Sequence, residues 1–158
     1  MSHLVRVDTV FSTVADAPSV SDPTAHHVGI TVSDLDRAVD FYAEVFGLDV
    51  VAEFSVGGEA FADAVDAAGA SASFAHLAAD GIRLELVEYD PEGEPMPERS
   101  LDRPGATHLG LGVDDVAAFH DGLADDVETL SEPRTTESGT TILFVRDPDG
   151  NLIEVLDA

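Results

Sequence analysis

Two stretches decide the fold: His27-Val-Gly-Ile-Thr-Val-Ser-Asp-Leu35 and His108-Leu-Gly-Leu-Gly-Val-Asp-Asp-Val116. They align histidine on histidine. Each leads later to an acid set among apolar residues, Glu85 in Ile82-Arg-Leu-Glu-Leu-Val and Glu154 in Leu152-Ile-Glu-Val-Leu. The chain therefore reads as a duplicated unit. Alternation with period two puts Val28, Ile30 and Val32 on one face and His27, Gly29 and Thr31 on the other; Ile82, Leu84 and Leu86 likewise oppose Arg83, Glu85 and Val87. An ionised carboxylate among apolar neighbours calls for compensation. Two imidazoles and two carboxylates, His27, Glu85, His108 and Glu154, suit one divalent ion per site, with Ni, Zn, Co, Mn and Fe all compatible with the N/O set. The competing reading is exposed strand ends repeated by chance.

Between these markers the pattern predicts a βαβββ order twice. After the first strand, Ser33 with Asp36 forms a capping box, Leu35, Val39, Tyr42 and Phe46 make an apolar helical stripe, and Gly47-Leu48 stops the helix. A strand over Asp49–Phe54 and a helix over Glu59–Ala68 follow. Strands Ser71–Ala78 and Ile82–Tyr89 are then joined by Ala79-Asp80-Gly81. The second half predicts strand His108–Val113, a helix about Val116–Leu123, strands near Val127–Leu130 and over Thr140–Arg146, a turn at Asp147-Pro-Asp-Gly150, and strand Asn151–Leu156. Carrying the His27-to-His108 shift to Glu85 overshoots Glu154 by a dozen residues, so the first copy holds an insertion, the Glu59–Ala68 helix. The expected organisation is an extension and linker over 1–24, with a β-prone run at Leu4–Val14; a first module over 25–90; a linker with Pro91, Pro95, Pro97 and Pro104 over 91–105; and a second module over 106–158. The linker is long enough to edge a binding cleft.

The 158 residues carry 32 acids against 7 basic residues, a formal charge of -25, and every basic residue is arginine. Such a surface repels nucleic acid and anionic lipid. Because the acids are spread along the chain, they fit a cell with a salty interior, where the screening length falls to about 3 Å near molar salt. Cysteine is absent, which excludes disulfides, thiolate metal sites and thiol nucleophiles. The first residues lack a basic start followed by an apolar run, and no segment approaches the roughly 20 apolar residues of a membrane span. The expectation is a cytoplasmic protein of a high-salt organism that binds neither membrane nor nucleic acid.

The residues also carry a family resemblance. His27-Val-Gly-Ile-Thr-Val-Ser-Asp-Leu-Asp-Arg-Ala-Val-Asp-Phe-Tyr with Gly47-Leu, Leu84-Glu-Leu, Thr107-His-Leu-Gly-Leu and Arg146-Asp-Pro-Asp-Gly-Asn-Leu-Ile-Glu resemble the vicinal oxygen chelate superfamily across about residues 25 to 157. That superfamily includes glyoxalase I, methylmalonyl-CoA epimerase, extradiol dioxygenases and the fosfomycin and bleomycin resistance proteins. The resemblance implies an α+β fold in which two paired βαβββ modules form a curved mixed sheet around a metal-binding cleft. It implies a homodimer acting on a small molecule, with the modules pairing within one chain or across two. Glyoxalase I has His, Glu, His and Glu in this order, matching His27, Glu85, His108 and Glu154; the epimerase usually has glutamine at the place of Glu85. The full set therefore implies a divalent-metal-dependent isomerase or lyase working through an enediolate on an α-hydroxycarbonyl or thiol-adduct substrate, with Glu154 or Glu85 as base. An epimerase, a ring-cleaving dioxygenase and a metal-free binding or resistance protein are the alternatives.

Other residues weigh less. Arg83 shares the face of Glu85 and is a candidate for a substrate carboxylate or phosphate, against a structural ion pair. His26 is expected on the face opposite His27, His76 in a structural or surface role with lining of the cleft as the alternative, His120 in solvent, and Asp114-Asp115 as a helix cap. Asp147-Pro-Asp-Gly-Asn lacks the glycine and glutamate spacing of a calcium loop and reads as a turn.

Overall fold

The computed structural model of the chain describes residues 23–97 and 100–157; the run expected as a strand at Leu4–Val14 lies outside them. The first half contains β1 (Val28–Thr31), α1 (Leu35–Phe46), β2 (Asp49–Val56), α2 (Glu59–Ala64), β3 (Ser71–Ala79) and β4 (Ile82–Asp90). The second contains β5 (Leu109–Gly112), α3 (Val116–Asp121), β6 (Arg134–Thr135), β7 (Thr141–Arg146) and β8 (Leu152–Asp157). Each half builds its own four-stranded mixed sheet, β1-β4-β3-β2 and β5-β8-β7-β6. The first strand of each half runs parallel to the last, and the other pairings are antiparallel. This is the expected α+β fold of two βαβββ modules, with α2 inserted in the first alone.

Local chemistry accounts for the ends of α1. Asp34, extended at φ -147°, accepts from the Arg37 N–H at 2.9 Å, and the Glu88 carboxylate takes the Leu35 N–H at 2.7 Å. Two of the orphan donors of the first turn are thereby satisfied. Ser33, the expected cap, instead donates its hydroxyl to Asp149 in the other half. Gly47 closes the helix at φ +66°, its N–H reaching the Ala43 carbonyl while the Leu48 N–H reaches that of Tyr42. That left-handed step suits glycine because it has no Cβ.

Three elements differ from the sequence pattern. Helix α2 stops at Ala64, short of Ala68, where the backbone turns through positive φ at Asp66 and Gly69. Helix α3 stops at Asp121 rather than Leu123. The segment Val127–Leu130 touches β7 only through a Thr129–Val145 bridge and its flanking bonds, and the edge strand is Arg134–Thr135. Pro133, lacking an N–H, stands between the two.

The helices cover one face of the sheets. Ala38 and Tyr42 of α1 pack on Ala75, Leu77, Leu84 and Leu86, while Val116 packs on Leu143, Val145 and Val155. Phe41 and Phe46 reach both clusters, Phe46 stacks on Phe119 with ring centroids 5.9 Å apart, and Leu109 and Ile153 of the second half belong to the first cluster. The halves thus share one apolar layer on the helix side.

A polar latch crosses the same junction. The Asp147 carboxylate, 4% exposed, accepts from the Tyr42 hydroxyl (3.1 Å), the Asn151 side-chain amide (2.7 Å), and the Asn151 and Asp149 N–H groups (2.7 and 3.0 Å). Asp149 in turn takes the Ser33 N–H at 3.2 Å and pairs with Arg37 at 3.6 Å. The turn expected at Asp147–Gly150 is therefore also the fastening between the halves. Burial pushes the Asp147 carboxyl above its ordinary range, against the four donors that favour its ionised form.

Candidate metal centre

On the face away from the helices, each sheet carries one histidine–glutamate pair. The register sets Gly29 beside Glu85 and Gly110 beside Glu154. His27 lies just before β1, with Nε2 3.4 Å from Glu85 Oε1; His108 lies just before β5, with Nε2 3.2 Å from Glu154 Oε2. The histidine side chains are 38% and 40% exposed, the glutamates 14% and 21%. A Cβ added at Gly29 would stand 3.7 Å from Glu85 Oε1, and one at Gly110 3.8 Å from Glu154 Oε2. Glycine at both places leaves the carboxylate without a flanking side chain on its neighbouring strand.

The donor set fits a divalent ion. Imidazole nitrogen and carboxylate oxygen each bind zinc-like ions at about 2.1 Å, so two donors of one ion stand roughly 3.0 to 3.4 Å apart. Both pairs have that spacing. Yet among the described residues no three His, Asp or Glu side chains converge on one point as a metal ion requires. The fold explains why the four do not meet. Ser33, bonded to Asp149, is six residues beyond His27, up to about 20 Å along an extended strand. Asp149 stands three residues before Leu152, next to Ile153, which is registered with Leu109. The end of β1 remote from His27 is thus the end that meets the His108 side of the second half.

The pairs are not equivalent. In the second half, Glu154 faces Phe144 across β7, and the His108 ring meets Phe144 edge to face at 5.4 Å. In the first half, the cross-strand partner of Glu85 is His76, whose Nε2 lies 2.7 Å from Glu85 Oε2 with its side chain only 8% exposed. Phe54 closes on the His76 ring at 5.0 Å, and His27 stacks on it at 6.0 Å. His76, read from the sequence as able to line the cleft but more simply structural or on the surface, thus contacts the central carboxylate. Alternation along β3, with Ala75 and Leu77 in the core, already put His76 on the other face. His26 also departs from its expected orientation, its Nδ1 lying 2.8 Å from His27 Nδ1. Regular alternation begins only at Val28, where β1 starts.

Arg83 lies on this same half, with Nη1 3.4 Å from His26 Nε2, and it forms no ion pair with a carboxylate among the described residues. His120, only 23% exposed, sits near Asp121 and Glu132, and Asp115 caps α3 through the Ala118 N–H. The linker lines a cavity of about 560 Å³ together with Thr31, Tyr89, Arg146 and Asn151. That cavity lies at the junction and is lined by neither His–Glu pair, so the chemistry of the donor set, rather than cavity size, marks the candidate centre.

Comparison with known proteins agrees with this architecture. The chain is 35% identical over 123 residues to a 2-epi-5-epi-valiolone epimerase from an Actinomyces species, an alignment that takes in 72% of this chain and 66% of the epimerase. It is 27% identical over 141 residues to a probable lactoylglutathione lyase from Synechocystis, across 82% of this chain and 92% of the relative. A glyoxalase family protein of Bacillus cereus shares the fold, with a TM-score of 0.75 at 20% identity over 88% of this chain and 98% of that one. The sequence model of the Glyoxalase/Bleomycin resistance protein/Dioxygenase superfamily matches residues 24–155, and the chain belongs to that superfamily.

Proposed function

We propose that the chain is a divalent-metal-dependent isomerase or lyase of glyoxalase type, acting on a small α-hydroxycarbonyl or thiol-adduct substrate, with each metal site assembled between two copies of the chain. The observation that carries this reading is the pair of His–Glu half-sites, each with the spacing of two ligands to one ion, held apart within one copy. In a two-fold dimer, His27 and Glu85 of one copy would meet His108 and Glu154 of the other, and the symmetry would give two identical sites. A divalent ion held there would polarise the substrate carbonyl as a Lewis acid.

The remaining work falls to the side chains. Glu85 is tethered through both oxygens, Oε1 toward His27 and Oε2 to His76. Among the described residues Glu154 engages only Oε2, with His108, and so is the carboxylate able to swing. Glu154 is therefore assigned as the base that takes a proton from the carbon beside the carbonyl and returns it to the neighbouring carbon. Arg83 would hold a carboxylate or phosphate of the substrate. An epimerase is the second reading: the same base would return the proton to the opposite face of one carbon, and the 35% identity to an epimerase favours it. Solvent deuterium appearing at the original carbon without carbonyl migration would select the epimerase.

Shared assembly has a direct test. Chains with His27→Ala and Glu85→Ala are mixed and co-refolded with chains carrying His108→Ala and Glu154→Ala. Each variant alone should bind no stoichiometric Co²⁺. Random pairing should restore about a quarter of the sites, because half the dimers are mixed and each has one intact site. A mixture that binds no more than its components would show that sites are not shared between copies.

A further inference from the structure

The duplication predicts the same neighbours for both glutamates, and the structure breaks that symmetry at one position. Phe144 stands opposite Glu154; His76 stands opposite Glu85. We infer that His76 is a positioning residue that fixes Glu85 as a permanent ligand and so leaves proton transfer to Glu154. The inference rests on the proposed metal site and deepens it.

The geometry carries the argument. The Nε2–H of His76 donates to Glu85 Oε2 at 2.7 Å, a charge-assisted distance, from a side chain almost wholly withdrawn from water. The ring is held in place. Phe54 meets it edge to face, and Phe54 itself lies parallel to Phe74 with centroids 4.9 Å apart. Cross-strand registration of His76 with Glu85 means the donor is delivered by the sheet rather than by a loop. With Oε2 engaged, Oε1 is the oxygen left beside His27 Nε2. A carboxylate anchored this way loses the rotamer freedom a base needs and gains the orientation a ligand needs. On the other sheet, a phenyl ring offers no such bond, and Glu154 keeps its freedom.

Two nearly isosteric substitutions separate the hydrogen bond from the bulk of the side chain. His76→Gln places an amide N–H near the former Nε2; His76→Met fills similar space without a donor. Co²⁺ affinity is measured by titration in molar KCl with the full-length protein, alongside thermal unfolding of each variant. His76→Met should bind Co²⁺ about 10- to 100-fold more weakly than wild type, and His76→Gln should recover most of that loss at similar folding stability. Should His76→Met not fold, His76→Phe, which copies the second half, takes its place. Equal affinity of the donorless variant and wild type would overturn the inference while leaving the metal site standing. So would a glutamine variant as weak as the methionine one, since the imidazole itself would then be required. A wild-type chain that binds no Co²⁺ would instead overturn the proposed site, and the positioning role with it.

Discussion

Replacing Tyr42 by phenylalanine tests the latch between the halves at the cost of one oxygen atom. The ring is fully buried, packed with the core of the first sheet, and its hydroxyl donates to Asp147 Oδ2 at 3.1 Å. Phenylalanine keeps the ring and its contacts with Phe41 and Phe46. What is lost is one of four donors to a carboxylate that is 4% exposed. A hydrogen bond to a charged group contributes about 1.5 to 3 kcal/mol. Three donors remain, so the lower end applies, and Tyr42→Phe should cost about 1.5 kcal/mol at neutral pH. For a chain of this size, that corresponds to a fall in Tm of roughly 3 to 6 °C.

The pH dependence supplies a second check. Burial raises the folded-state pKa of Asp147 above the value of about 3.9 for an unfolded aspartate. The folded chain therefore holds this proton more tightly than the unfolded chain. The contribution of Asp147 is fully present below the unfolded value and is lost as pH rises through the folded one. Removing a donor to the ionised form raises the folded value further. The deficit of Tyr42→Phe should thus be largest above both values and shrink as Asp147 becomes protonated. Urea unfolding at constant molar KCl, repeated from pH 7 downward, measures both features. A variant within 0.5 kcal/mol of wild type at neutral pH, on the order of the scatter of an ordinary surface substitution, would refute the reasoning.

Three further outcomes are expected. Arg83→Gln should raise KM about 10-fold or more and leave Tm unchanged, as loss of a charge-assisted contact to a substrate anion predicts; unchanged KM would remove Arg83 from the site. Gly29→Val and Gly110→Val each add branched carbon beside a glutamate that a bare Cβ would approach within 3.7 and 3.8 Å, and should depress Co²⁺ binding while the strands persist by circular dichroism; normal binding would show that the bare neighbours are incidental. Dilution from molar KCl to 0.1 M lengthens the screening range from about 3 to about 10 Å, so copies of charge -25 should part and Co²⁺ sites be lost; affinity that instead rises as salt is removed, as for a cation drawn to an anionic monomer, would count against assembly between copies.

Much of the site's local form was legible because period-two alternation reports which face a side chain takes. His27 and Glu85 lie together on the face opposite Val32, Leu84 and Leu86, as alternation assigned them. Alternation carries no information about register between strands. Alternation along Ser71–Ala78 could have put His76 on the face away from Ala75 and Leu77 but could not place it opposite Glu85, a pairing fixed by the tight Asp80–Gly81 turn that joins β3 to β4. It also failed where strands were barely strands. Residues Val127–Leu130 have the composition of a strand yet make one bridge, and Arg134–Thr135, with no apolar residue, pairs with Ile142 and Thr141.

The arrangement of the two halves was the least legible feature, and it decides how the site works. Asp147-Pro-Asp-Gly-Asn reads locally as a turn, and so it is; nothing within those residues says that Asp147 accepts a bond from Tyr42, on a helix of the other half. Together with the shared layer of Phe41, Phe46, Leu109 and Ile153, that bond sets which ends of β1 and β5 adjoin. A repeat encodes two equal half-sites, but their meeting depends on the symmetry that relates the repeats. Here the helix-side contacts occupy the junction within one copy and leave both His–Glu faces open. On the proposed reading, the same contacts that stabilise the single chain would leave completion of the metal centre to a second copy.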